Sequence, residues 1–104
     1  MKKIVLEYQY FEGCPNHKTM WANLDQAILG VHDSVNLTKV LVEDQDTARR
    51  VHFRGSPTLL IDGRDIEDVP VPEEASFSCR FYRNGVPSAE MLRKIILDQL
   101  SLKE

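Results

Sequence analysis

Short runs of β-branched and aromatic residues alternate along the chain with stretches whose apolar positions return every three or four residues. Residues 4–11 form the first run and read as a strand, apolar on both sides at its start, the pattern of a central strand covered by helices. Glu7 and Gln9 break the pattern on one side, marking either the wetter end of the strand or a carboxylate beneath the next helix. Over residues 15–29, Met20, Trp21, Leu24, Ala27 and Ile28 fall at helical spacing, and Gly30 offers a C-terminal stop. A second strand begins at Val35 or Leu37 and ends at Val42. Strand, helix and strand with short joints predict a right-handed βαβ unit and a parallel pair.

The acidic run Glu43-Asp44-Gln45-Asp46 precedes a short helical stretch over residues 47–53. A helix N-terminus favours negative charge, so solvated capping explains these acids better than metal ligation. Gly55 is expected to end that helix, and Ser56-Pro57 follows directly. Residues 58–61 read as a third strand, Asp62-Gly63 as a tight hairpin turn, and residues 64–67 as a polar edge strand returning antiparallel. Residues 68–78 carry Pro70 and Pro72 among acids and read as a surface loop. The segment Cys79-Arg80-Phe81-Tyr82 is apolar enough to dock, with its secondary structure left open. Asn84-Gly85 turns the chain, Ser88 caps a last helix with Glu90 in its first turn, and Met91, Leu92, Ile95, Ile96 and Leu100 form its buried stripe.

Composition narrows the class. A chain of 104 residues with 42% hydrophobic and 28% charged residues suits one domain with a single modest core. A net charge of −3 with no basic stripe argues against nucleic-acid binding. No apolar run is long enough to span a membrane, and the opening run stops at Glu7, too soon for a secretion signal. The expectation is therefore a cytoplasmic protein, monomeric or weakly dimeric, without a cofactor and without membrane partners. In a reducing compartment its two cysteines are better read as reactive or buried than as a permanent bridge.

Chemistry concentrates at two points. In Tyr10-Phe11-Glu12-Gly13-Cys14-Pro15-Asn16-His17 a strand hands over to a helix, and Pro15 suits the first helical turn because its missing N–H would be unpaired there anyway. Cys14 then faces the free N–H groups expected at Asn16 and His17 and the positive end of the helix dipole, which together favour the nucleophilic thiolate. The competing reading is a small buried thiol. The second point is Arg54-Gly55-Ser56-Pro57-Thr58.

Strand order and these two points together resemble the thioredoxin-like superfamily over nearly the whole chain: α/β, βαβ-α-ββα, a four-stranded mixed sheet with helices on both faces. Gly13-Cys14-Pro15 is similar to the opening of its redox motif, and Ser56-Pro57-Thr58 to its cis-proline loop. The resemblance implies a cis bond before Pro57 and a loop lying against Cys14. It also implies that Pro15, Ser56, Pro57 and Thr58 contact substrate, through backbone groups able to pair with an extended segment. More narrowly, Tyr-Phe-x-Gly-Cys-Pro with Gly55-Ser56-Pro57-Thr58, Asp62-Gly63-Arg64 and Cys79-Arg80-Phe81-Tyr82 resembles a group of small bacterial thioredoxin-like proteins. Some of those proteins are thought to carry selenocysteine where Cys14 stands, which implies redox use. A dithiol thioredoxin has a second cysteine three residues on; here that position is His17, so the chain is more similar to a monothiol glutaredoxin.

The resulting expectation is a thiol–disulfide oxidoreductase or thiol-dependent reductase acting on a disulfide- or peroxide-bearing substrate. Cys14 is the nucleophile, His17 a candidate for proton transfer or thiolate stabilisation, and Cys79 or an external thiol such as glutathione the resolving group. His17 is equally readable as a solvated helix residue, and Cys79 as a docked, buried thiol. The alternatives at the level of function are a soft-metal module held by Cys14, His17 and Cys79, or a redox-inert interaction domain on the same scaffold.

Overall fold

The computed structural model describes residues 3–103. Strand β1 (Ile4–Tyr10) lies inside the sheet: it pairs in parallel with β2 (Val35–Leu41), from Ile4 opposite Val35 to Tyr10 opposite Leu41. On its other side it pairs antiparallel with β4 (Thr58–Ile61), which continues into the two-residue β5 (Arg64–Asp65), giving the order β2-β1-β4-β5. The hairpin turn between β4 and β5 uses Asp62 at φ 51° and Gly63 at φ 84°. Two successive positive φ values match the right-handed twist of the flanking strands, which is why Asp-Gly is favoured there.

Alternation along β1 divides the molecule into two layers of packing. Ile4, Leu6, Tyr8 and Tyr10 face the helices α1 (Pro15–Ala27) and α3 (Ala89–Leu102), and meet Met20, Leu24, Leu92 and Ile96 in the main core. Each such fully buried aliphatic chain contributes about 1.5–3 kcal/mol relative to exposure. The opposite face carries α2 (Gln45–Arg50), whose Ala48 joins Val42 and Phe53 in a smaller cluster with Phe11 packed against it. Helices thus lie on both faces of a four-stranded mixed sheet, as the sequence predicts. Asp44 caps α2 by accepting from the Thr47 N–H, and Ser88 caps α3 by accepting from Met91.

Several local expectations are corrected. Val5 is 47% exposed, because the six-residue α2 covers only the far end of the sheet's second face. Helix α2 ends at Arg50 rather than reaching Phe53, and the residue that turns the chain out of it is His52 at φ 53°, not Gly55. Met91 is exposed, leaving Leu92 and Ile96 as the buried stripe of α3, with Ile95 and Leu100 half-buried beside them. The largest revision lies in residues 68–78, read from sequence as a loop. Ser76–Cys79 is strand β6, parallel to β3 (Arg54–Ser56), with Ser56 opposite Cys79. Among the described residues no helix is long and apolar enough to cross a membrane.

Candidate functional site

Cys14 occupies the N-cap position of α1, with Pro15 in the first turn, so the strand-to-helix handover falls where the sequence puts it. The thiol is only 2% exposed. It makes no capping bond to the helix N–H groups; it donates instead to the Ser56 main-chain oxygen at 3.2 Å. The sequence expectation that Asn16 and His17 hold the sulfur is replaced by a partner from the neighbouring loop.

That loop is built on a cis peptide bond between Ser56 and Pro57. Ser56, Pro57 and Thr58 are all buried. Ser56 ties the loop to the start of the turn that carries Cys14 by accepting the Phe11 N–H on its Oγ at 3.1 Å. Thr58 Oγ1 donates to the Gly55 oxygen at 2.6 Å. Pro15, the fourth residue expected to meet substrate, is exposed.

Cys79 comes to the site through β6, where pairing with β3 sets it beside Ser56. Both cysteines are free thiols. The Cys79 thiol is pushed above the ordinary cysteine range, first by hydrogen bonding to the Cys14 sulfur, then by burial and by the charge of Cys14. The strand pairing with Ser56, whose oxygen accepts from Cys14, places the two cysteines at one site.

His17 points elsewhere. It is buried, not solvated, with its ring stacked on Tyr10 at 4.2 Å and its Nδ1 3.3 Å from the Tyr8 hydroxyl, which itself donates to the His17 carbonyl at 2.9 Å. Burial first, and then the Lys39 charge, pull its pKa below the ordinary value, so the ring is neutral near pH 7. Burial likewise raises the pKa of Tyr8, with the Tyr82 and Cys14 charges adding to it. Among the described residues no three His, Cys, Asp or Glu side chains gather into a ligand set, so Cys14, His17 and Cys79 do not converge as a soft-metal site would require.

Sequence reading missed the polar anchor of β6. Arg80 turns inward and grips Asp65, with Nη1 2.6 Å from Oδ2 and Nη2 2.8 Å from Oδ1, while Nη1 also reaches Thr58 Oγ1 at 3.3 Å. Asp65, placed by pattern on an exposed edge strand, is buried, and it accepts the Glu67 N–H as well at 2.8 Å. The Arg80 guanidinium lies 4.4 Å from the centre of the Tyr82 ring, and the Tyr82 hydroxyl donates to the Pro57 oxygen at 2.7 Å. Gly55, at φ 105°, lets the two strands close, since a Cβ there would stand 2.9 Å from Arg80 Cβ. The only signal in the sequence was the adjacency of Cys79, Arg80 and Tyr82.

No protein-family model matches this sequence, and no curated protein matches it. Solved structures do match. Chloroplastic thioredoxin z superposes with a TM-score of 0.65 at 16% identity, over 96% of this chain and 80% of that one. Thioredoxin-2, described as a component of the malaria parasite's protein secretion machinery, gives 0.62 at 13% identity over 92% of this chain and 82% of that one. A further malarial protein gives 0.62 at 14% identity, over 95% of this chain and 99% of that one. At these identities the likeness is one of architecture: the chain has the thioredoxin-like fold.

Proposed function

We propose that the protein is a thiol–disulfide oxidoreductase in which Cys14 is the nucleophile and Cys79 the resolving thiol. The observation that carries this reading is the convergence of both sulfurs on Ser56. Its carbonyl accepts from Cys14, and its backbone is paired with Cys79, whose thiol is held above its ordinary range by the neighbouring Cys14. Position 17 is histidine, so the second thiol of the pair comes from β6 rather than from the next turn of the helix. The shared motif set Gly13-Cys14-Pro15, Ser56-Pro57-Thr58 and Cys79-Arg80-Phe81-Tyr82 supports the same use.

The chemistry balances without a cofactor. Cys14 gives up its proton and attacks one sulfur of a disulfide; that S–S bond breaks, and one half leaves as a thiol. Cys79 attacks the Cys14 sulfur of the mixed disulfide, the second half leaves as a thiol, and a Cys14–Cys79 bridge remains. Two electrons and two protons pass to the substrate. With a peroxide, Cys14 becomes a sulfenic acid while water or an alcohol departs, and Cys79 closes the same bridge with loss of water. An external thiol of the glutathione class restores both thiols by the reverse exchange. Two free thiols that cycle in this way suit a reducing, cytoplasmic setting.

Mass analysis after mild peroxide treatment tests the assignment. The native protein is expected to lose both free thiols to one internal bridge, whereas Cys79→Ser is expected to stop at an oxidised or mixed-disulfide Cys14. The same single thiol lost from both proteins, with no bridge, defeats the resolving role.

A further inference from the structure

Loops beside a nucleophile can recruit polypeptide substrates by offering free backbone groups to an added strand. In this chain the groups around the cis bond are already taken. The Gly55 oxygen accepts from Thr58 Oγ1 at 2.6 Å, the Ser56 oxygen from the Arg80 N–H at 2.8 Å and from Cys14, and the Pro57 oxygen from the Tyr82 hydroxyl at 2.7 Å. Three consecutive carbonyls are therefore satisfied from within, and β6 lies along the edge that an extended substrate would need.

This strand is not loosely laid on. The buried Arg80–Asp65 pair fastens its end, and Phe77 stacks on Phe11 with ring centres 5.2 Å apart. The main-chain oxygen of Phe53 accepts the Ser76 N–H at 2.8 Å. Beneath it Cys14 is almost wholly covered, while Cys79 keeps partial exposure. Peeling β6 away to admit a polypeptide would break the Ser56 pairing and draw Arg80 off, leaving the Asp65 carboxylate buried without its main partner, which is far costlier than the loss of a surface contact.

We infer that this redox pair acts on small disulfides and not on extended polypeptide ones, because its own strand β6 occupies the polypeptide-pairing edge. The inference rests on the oxidoreductase reading above. A small disulfide RSSR needs no strand-pairing edge, so it approaches from the partly exposed Cys79 side with β6 in place; it leaves as two RSH while Cys14 and Cys79 become one disulfide, so electrons and protons balance in a single turnover.

The test compares single-turnover oxidation of the reduced protein by hydroxyethyl disulfide and by insulin, each rate divided by that of reduced glutathione with the same oxidant. The normalised rate is expected to favour hydroxyethyl disulfide by at least about tenfold, the consequence of a pairing edge that must be broken open for the larger substrate. Arg80→Lys, which keeps the charge but loses the two-pronged grip on Asp65, is expected to narrow that ratio. Tyr82→Phe, which frees the Pro57 oxygen with little change of shape, is expected to narrow it too and serves if the first variant folds poorly. Equal normalised rates in the native protein overturn the inference while leaving the Cys14–Cys79 bridge intact. Failure of both oxidants to produce the bridge overturns the oxidoreductase reading and the inference with it.

Discussion

Asp65 holds Arg80 through both carboxylate oxygens, at 2.6 and 2.8 Å, and neither side chain has more than 7% of its surface in contact with solvent. A two-pronged pair of this kind fixes orientation as well as proximity. Arg54 adds a weaker approach, its Nε 3.9 Å from the same carboxylate. Replacing Arg80 with Met leaves a buried carboxylate short of its main partner and is expected to cost about 3–5 kcal/mol, read as a lower midpoint in chemical denaturation. Asp65→Asn, which removes the charge but keeps the shape, is expected to cost less.

Acid should act on two groups in separate windows. Burial alone would raise the Asp65 pKa, but the hydrogen bonds from Arg80 and from the Glu67 N–H, with the Arg80 charge, outweigh it and hold the carboxyl below its ordinary value of 3.8. Its stabilising contribution is present above that value and is lost as pH falls through the depressed folded value. His17 is also depressed, below 6.5, by burial and Lys39. Keeping it neutral favours the folded state above 6.5, and that advantage shrinks as pH drops from 6.5 toward the folded value. Denaturation midpoints across pH should therefore begin to fall in the histidine window, and His17→Phe should flatten that part of the curve while leaving the more acidic limb.

The strand pairing that presents Cys79 depends on a missing side chain at Gly55. With φ at 105° and Arg80 Cβ 2.9 Å from where a Cβ would be, Gly55→Ala meets both backbone strain and a clash. A loss of about 1–3 kcal/mol is expected from the strained backbone alone. The more telling readout is slower closure of the Cys14–Cys79 bridge than in a surface variant of matched stability.

Thiol titration offers a direct view of the coupling between the two sulfurs. Because hydrogen bonding to Cys14 raises the Cys79 pKa, alkylation of Cys79 should require a more alkaline pH than a free cysteine does. Removing the partner as Cys14→Ala should move the Cys79 profile toward lower pH. An unmoved profile would mean that the sulfurs do not interact in solution.

Tyr82→Phe removes the hydroxyl that satisfies the buried Pro57 oxygen. An unpaired buried carbonyl is expected to lower stability by about 1–3 kcal/mol, measurable by urea denaturation.

The sequence by itself determined the elements whose cues are local. Helical spacing of Met20 and Leu24, the Ser88 cap, the Asp62-Gly63 turn and the Cys14-Pro15 handover each follow from residues within one or two turns of one another, and all appear in the structure. Tertiary structure alone decided what surrounds Cys14. Strand β6 is polar and partly exposed, so no alternation marked it, and its existence depends on pairing with β3 some twenty residues earlier. Asp65 looked like an edge-strand acid because nothing near it in sequence names its partner; only closure of the fold delivers Arg80 and makes burial of that charge tolerable. His17, expected as a solvated residue or a proton carrier, went to the Tyr10 ring because the first turn of α1 faces the aromatic side of β1. Periodicity records which face of an element is buried, whereas long-range pairing of polar groups leaves no periodic trace.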